Sequence, residues 1–322
     1  MNALRALSVD GQVALLFVAL LGGLLLLSLA LLVRTLRDDG SARERLHPLW
    51  RDLRALWLGA VVFWLAWVSG PVGATVAFGV FSFLALREFI TLVHTRRGDH
   101  RSLLLAFFVA LPFQYLLVGL RAFDLFTVFV PVYVFLLIPV ASAISGDPHR
   151  FLERSAKLQW GIMVCVYGMS HVPALLLLQF PKWGNKGAFL VFFLVFVVQT
   201  GTLVQHLVSR RWPRPPRAPN VSQSFNWTSW SIGVATGSVL GGVLSGITPF
   251  KPGQAMAMAL IACVAGSMGH LVMKALKRDR GVPNWGAQGQ SVTGASGLLD
   301  RVDALCFAAP VFFHSVRWYF GA

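Results

Sequence analysis

Residues 13–33 read VALLFVALLGGLLLLSLALLV, and Arg34 follows at once. A helix needs about 20 apolar residues to cross roughly 30 Å of hydrocarbon, because each residue rises about 1.5 Å. This run is long enough. It exceeds a typical signal-peptide core and lacks a convincing small-residue cleavage site, so it reads as a true membrane helix. Working outward, further apolar runs of similar length occupy 55–70, 73–93, 103–120, 124–143, 158–180, 187–208, 229–248, 254–275 and 303–320. The second is short, and Gly70-Pro71 separates it from the third, which predicts a helical hairpin. The expected fold is an all-α, polytopic transmembrane bundle of about ten spans.

The charges support that count. Only 13% of the residues are charged and 56% are hydrophobic, against about 25% charged in soluble domains. The chain carries 28 Lys and Arg but 13 Asp and Glu. A nucleic-acid binder gathers its basic residues on one solvated domain. Here they sit in short clusters between apolar runs, so no nucleic-acid partner is expected. Loops 34–54, 94–102, 144–157, 209–228 and 274–301 hold most of them, and these are every second loop. Lys and Arg concentrate on cytoplasmic loops. The pattern predicts a bacterial inner-membrane protein with functional loops in the cytoplasm and both termini outside it. Cys165, Cys263 and Cys306 lie far apart inside apolar runs and read as packing residues. No repeat is visible, which weighs against a transporter built from inverted repeats.

Chemistry concentrates in residues 269–303, GHLVMKALKRDRGVPNWGAQGQSVTGASGLLDRVD. A basic cluster, a glycine-rich loop and the pair Asp300 and Asp303 adjoin there. Acids three apart share a helix face. They could hold a divalent cation and the phosphates it bridges, or simply face the positive N-terminus of the last helix. Residues 211–219, Arg-Trp-Pro-Arg-Pro-Pro-Arg-Ala-Pro, predict a stiff extended loop. It either touches anionic headgroups or contacts phosphate beside a site. Glu88, with Arg87, is the most membrane-embedded acid. An ionised group at mid-bilayer costs roughly 2.5–3.5 kcal/mol, so Glu88 should pair locally or lie near the cytoplasmic interface. His206 and His270 read as packing or as ligands for a softer metal. His171 and His314 read as packing.

Lys277-Arg278-Asp279, Gly281-Val282, Gly286 and Leu299-Asp300-Arg301-Val302-Asp303 resemble the C-terminal signature of phosphatidate cytidylyltransferases. Upstream, Gln205, Leu207, Arg210, Pro219, Val221 and Ser222 fall at corresponding spacing, and Leu86-Arg87-Glu88-Phe89 is similar to the family's L-x-E-F. The resemblance divides the chain into an N-terminal transmembrane half, 1–186, and a cytidylyltransferase-like half, 187–322. It implies CTP and a phosphatidate-like lipid as substrates, with CDP-diacylglycerol and pyrophosphate as products. It further implies Asp300 and Asp303 as catalytic residues, Arg210, Ser222, Lys277, Arg278 and Arg301 as phosphate ligands, and Mg2+ on Asp279, Asp300 and Asp303. A homodimer or a partner enzyme of lipid synthesis would fit the same setting.

The departures fall on the chemistry. Thr202 follows Gly201 where the family has Asn-Asp. The family's K-T-x-E-G falls on Phe225-Asn226-Trp227-Thr228-Ser229, with Phe225 and Thr228 at the lysine and glutamate positions. His270 replaces the Asp of Gly-Asp, and Asn284 the Asp of Lys-Asp. The family's H-G-G falls in 291–297, which holds no histidine. From Arg154 onward only Asp279, Asp300 and Asp303 are acidic. The resulting expectation is a cytidylyltransferase-like scaffold with impaired catalysis, or one that binds lipid or a partner without turnover.

Overall fold

A computed structural model describes residues 9–37, 43–93, 95–180, 187–285 and 297–320. Among them the chain forms ten helical rods: α1 (Val9–Arg37), α2 (Arg43–Val68), α3 (Gly70–Thr91), α4 (Arg97–Gly119), α5 (Phe123–Ala143), α6 (Phe151–Leu177), α7 (Gly187–Arg211), α8 (Trp227–Ile247), α9 (Pro252–Asp279) and α10 (Leu299–Phe320). All ten expected runs are helical. Eight rods are long and apolar enough to cross a membrane. The other two are α2, whose apolar part is only Leu56–Val68, and α10, which opens on Asp300, Arg301 and Asp303. The protein is therefore an all-α polytopic membrane protein.

Lipid satisfies no backbone group, so each rod closes its own hydrogen bonds. Gly70 breaks the chain between α2 and α3 by taking φ +67°, a left-handed conformation that a side chain would strain. The two helices then pack together as the hairpin the Gly-Pro pair predicts. Wide i→i+5 turns interrupt α4 at Ala106–Ala110, α5 at Phe129–Val134 and α6 at Met163–Gly168. Pro112 lies two residues past the first and Pro131 lies inside the second. A proline cannot donate to the fourth residue before it, and a widened turn absorbs the mismatch.

Burial ranks the rods. In the most apolar window of α6, 83% of residues are buried, against 11% for α1. Thus α6 is the central post and α1 faces lipid. One continuous core joins residues from Val13 to Val316. The three cysteines are free and buried in it, as packing residues should be.

The rods α7, α8, α9 and α10 form the tightest group. Gly241 lies where a Cβ would stand 2.3 Å from Ala259 Cβ, and at Gly237 a Cβ would stand 2.4 Å from Cys263 Sγ. Small residues let helix backbones approach in lipid. The glycine face of α8 is therefore spent on α9 of the same chain.

Candidate functional site

The site is built where the ends of α7, α9 and α10 meet. The last turns of α9 carry Lys274, Lys277 and Arg278, and α10 opens with Asp300, Arg301 and Asp303. Because α9 and α10 pack along their length, acids on one face cations on the other. Lys277 Nζ donates to Asp300 Oδ1 at 2.5 Å, with both side chains largely buried. His270 Nδ1 lies 2.6 Å from Asp303 Oδ2. One turn before Lys277, Lys274 Nζ reaches the buried Ser222 hydroxyl at 3.4 Å. His206 of α7 meets His270 edge to face, with ring centroids 5.7 Å apart.

Asp300 also organises the backbone around it. Its Oδ2 accepts the amides of Trp285 at 2.9 Å and Gly297 at 3.2 Å. It thereby anchors both ends of the glycine-rich loop, whose residues 286–296 lie outside those described. That span takes in Gly286 and most of the 291–297 segment. Trp285 stacks on Phe89 of α3 at 5.4 Å. Beside it, buried Glu88 accepts the Leu299 amide at 2.9 Å. This is a carboxylate on the open N–H groups and positive end of a helix. Glu88 thus fixes the start of α10. The sequence offered one signal, an acid embedded in an apolar run that should pair locally or lie near the cytoplasmic interface, but it did not name the Leu299 amide.

The remaining sequence candidates separate into two groups. Arg210 and Arg278 are exposed at the ends of α7 and α9, and Arg301 is half-buried. Asp279 is 63% exposed and pairs with its neighbour Arg280. The substituted positions each have another use. The Thr202 hydroxyl donates back to Val198 O at 2.9 Å. Phe225 is buried and meets Trp227 edge to face. Thr228 accepts from Arg214 at 3.0 Å. Asn284 is half-buried in the turn after α9. Two contributors escaped the sequence reading. Lys274 stood out only as one of a basic cluster. Asn226 caps α8 by accepting the Ser229 amide at 2.8 Å, the usual N-cap arrangement.

Could these residues hold the magnesium that the family resemblance implies? A divalent cation wants several carboxylate oxygens converging on one point. Asp300 is turned to Lys277 and two amides, Asp303 to His270, and Asp279 to Arg280. Among the described residues no three His, Cys, Asp or Glu side chains converge to hold an ion. The donor set does not fit a metal centre. It fits a cluster in which Lys277, His270 and Arg280 occupy the carboxylates, with the basic side chains of Lys274, Arg210 and Arg278 nearby.

Fold and cluster together define an all-α membrane protein with paired basic and acidic side chains where α7, α9 and α10 meet. A sequence profile of the cytidylyltransferase family matches residues 50–319. The chain belongs to that family. It is 35% identical over 268 residues to an Escherichia coli protein described as uncharacterized protein YnbB, which covers 81% of this chain and 85% of that one. It is also 30% identical over 125 residues to the phosphatidate cytidylyltransferases of Brucella abortus and Brucella suis, covering 38% of this chain and 45% of theirs.

Proposed function

We propose that this protein is a cytidylyltransferase-family membrane protein that binds a phosphate-bearing, phosphatidate-like lipid headgroup at the cytoplasmic rim without efficient cytidylyl transfer. The observation that carries the reading is the pairing of Lys277 with Asp300 and of His270 with Asp303. Of the two acids of the Leu-Asp-Arg-x-Asp segment, Asp300 has a lysine counter-ion and Asp303 is in contact with a histidine ring nitrogen.

The family reaction brings CTP and phosphatidate together. Their mutual repulsion must be cancelled, and metal ions on carboxylates serve that end in phosphoryl-type transfers. Losing a single such electrostatic element typically costs about 10²–10³ in rate. Thr202, His270 and Asn284 replace three of the acids that the family resemblance places here. Lysine and arginine side chains can balance one phosphate headgroup. They do not supply the charge needed to press a triphosphate against it. The 187–322 half would hold the headgroup, and the 1–186 half would brace it through Glu88. The concentration of Lys and Arg in every second loop, and so on one side, supports a bacterial inner-membrane setting with both termini outside the cytoplasm.

The test is product formation. Purified full-length protein in lipid nanodiscs, given Mg2+, labelled CTP and phosphatidate, is expected to form no more CDP-diacylglycerol than empty nanodiscs. Phosphatidate should nonetheless be retained over phosphatidylcholine in native mass spectra. Robust product that Asp300→Ala abolishes would refute the proposal.

A further inference from the structure

The helices α5, α6 and α10 border a groove of about 920 Å³ that begins on α10 at Cys306, one turn past Asp303, and runs away from the charged rim to His314 and Ser315. Ligand sites commonly span about 300–1,000 Å³. Two of these helices, α5 and α6, are irregular beside it, and α10 carries a proline there. Met163, Val164 and Tyr167 of the wide turn in α6 line it, as does Phe135 just past the wide turn in α5. Pro310 lies within α10 on the same wall. Widened turns occur often at functional sites.

The groove has one polar end. Tyr167 Oη and His314 Nε2 lie 3.1 Å apart, and Ser315 adjoins them. Whichever atom donates, a neutral imidazole still presents its second ring nitrogen. Behind the pair, fully buried His171 binds Tyr167 O through Nδ1 at 2.7 Å. Its Nε2 has no partner among the described residues. The polar cluster thus has more hydrogen-bonding capacity than the helices use. Elsewhere the walls are Trp160, Phe307 and Val311, and the amide of Gln159 is spent on Phe135 O at 2.8 Å. Along α10 the groove runs from Cys306 to Ser315, about 13 Å at 1.5 Å per residue.

We propose that this groove holds an acyl chain of a membrane glycerolipid, with the lipid's ester or hydroxyl group hydrogen-bonded to the Tyr167–His314 pair. Depth supports that occupant. Trp318 and Tyr319 are exposed at the end of α10, where amphipathic rings mark a membrane interface. His314 sits one turn inside them, about 6 Å deep at 1.5 Å per residue, which is the boundary between headgroups and acyl chains. Below that level the walls are apolar. A gap left empty there would forfeit dispersion contacts along its whole lining. The lipid enters from the leaflet opposite the charged rim, so this site is independent of the headgroup reading above.

Photo-cross-linking tests it. The full-length chain is reconstituted in vesicles of phosphatidylethanolamine and phosphatidylglycerol containing a phosphatidylethanolamine with a diazirine on its acyl chain. After irradiation and digestion, adducts are expected to concentrate on the peptides carrying Trp160, Met163 and Val311. Val311→Trp fills the groove from an exposed position and should reduce those adducts severalfold, leaving adducts around exposed Val243 of α8 unchanged. His314→Phe keeps a ring, removes the donor, and should lower them as well. Three results would overturn the proposal: adducts spread over all lipid-facing helices alike, adducts unchanged in both variants, or a second copy of the chain cross-linked through this face in place of lipid.

Discussion

Arg154→Met is expected to destabilise the protein by about 3–5 kcal/mol, the usual penalty for removing one partner of a buried ion pair. The Arg154 side chain is 6% exposed and that of Asp99 is 7% exposed. Arg154 Nε donates to Asp99 Oδ1 at 2.9 Å, and Nη1 donates to Asp147 Oδ2 at 2.9 Å. The same guanidinium donates to the carbonyls of Asp147 and His149. The His149 amide, then the Arg154 and Arg96 charges, hold the Asp147 carboxyl below its usual range, so Asp147 stays charged at neutral pH. One side chain thereby ties the start of α4, the α5–α6 loop and the central post α6. Arg154→Lys should recover little, because an ammonium lacks the planar fork that spans these acceptors. Thermal unfolding in detergent, compared at equal lipid content, measures the loss. A change below about 1 kcal/mol, the level of an exposed pair, would mean that the knot is not structural.

Lys277→Ala is the second large effect. Asp300 would keep its two amide donors but lose its counter-ion, with side chains only 12% and 10% exposed in the native pair. The expected loss lies at the lower end of about 3–5 kcal/mol. Adding Asp300→Asn should return part of it, because the orphaned charge is gone while the side-chain oxygen still accepts the Trp285 amide. The double-mutant cycle should give a coupling of about 0.5–3 kcal/mol. Divalent cations separate this account from its rival. Were Asp300 a metal ligand with Lys277 a bystander, Lys277→Ala would bind Mg2+ better and be stabilised by it. We expect Mg2+ to leave the melting temperature of both forms unchanged.

The bundle was legible because lipid imposes one rule on every segment: about 20 apolar residues, helical, with basic loops on one side. Residues 55–70 already read as short, and they lie in α2, which falls short of the rule; 303–320 read as a span, yet α10 falls short too because it opens on charged residues. The basic and acidic residues of 274–303 were visible as a cluster, but which acid meets which cation was not. That depends on how α9 lies against α10, and apolar windows carry no information on helix rotation. Distance along the chain hid the rest. Glu88 reads as an acid seeking a neighbour, yet it binds an amide 211 residues away. Asp99 and Arg154 are 55 residues apart, and nothing in either local segment names the other. The contact of the α8 glycines with α7 and α9 is likewise set by helix rotation, which the chain order does not reveal.

Manganese binding tests the central claim most directly. Mn2+ stands in for Mg2+ and is followed by electron paramagnetic resonance as it is titrated into the purified chain. With Asp300 held by Lys277 and Asp303 by His270, the native protein should leave the free-ion signal undiminished. The variant Thr202→Asp/His270→Asp/Asn284→Asp should bind the ion and quench that signal. Stoichiometric uptake by the native protein, lost on Asp300→Ala, would contradict the account.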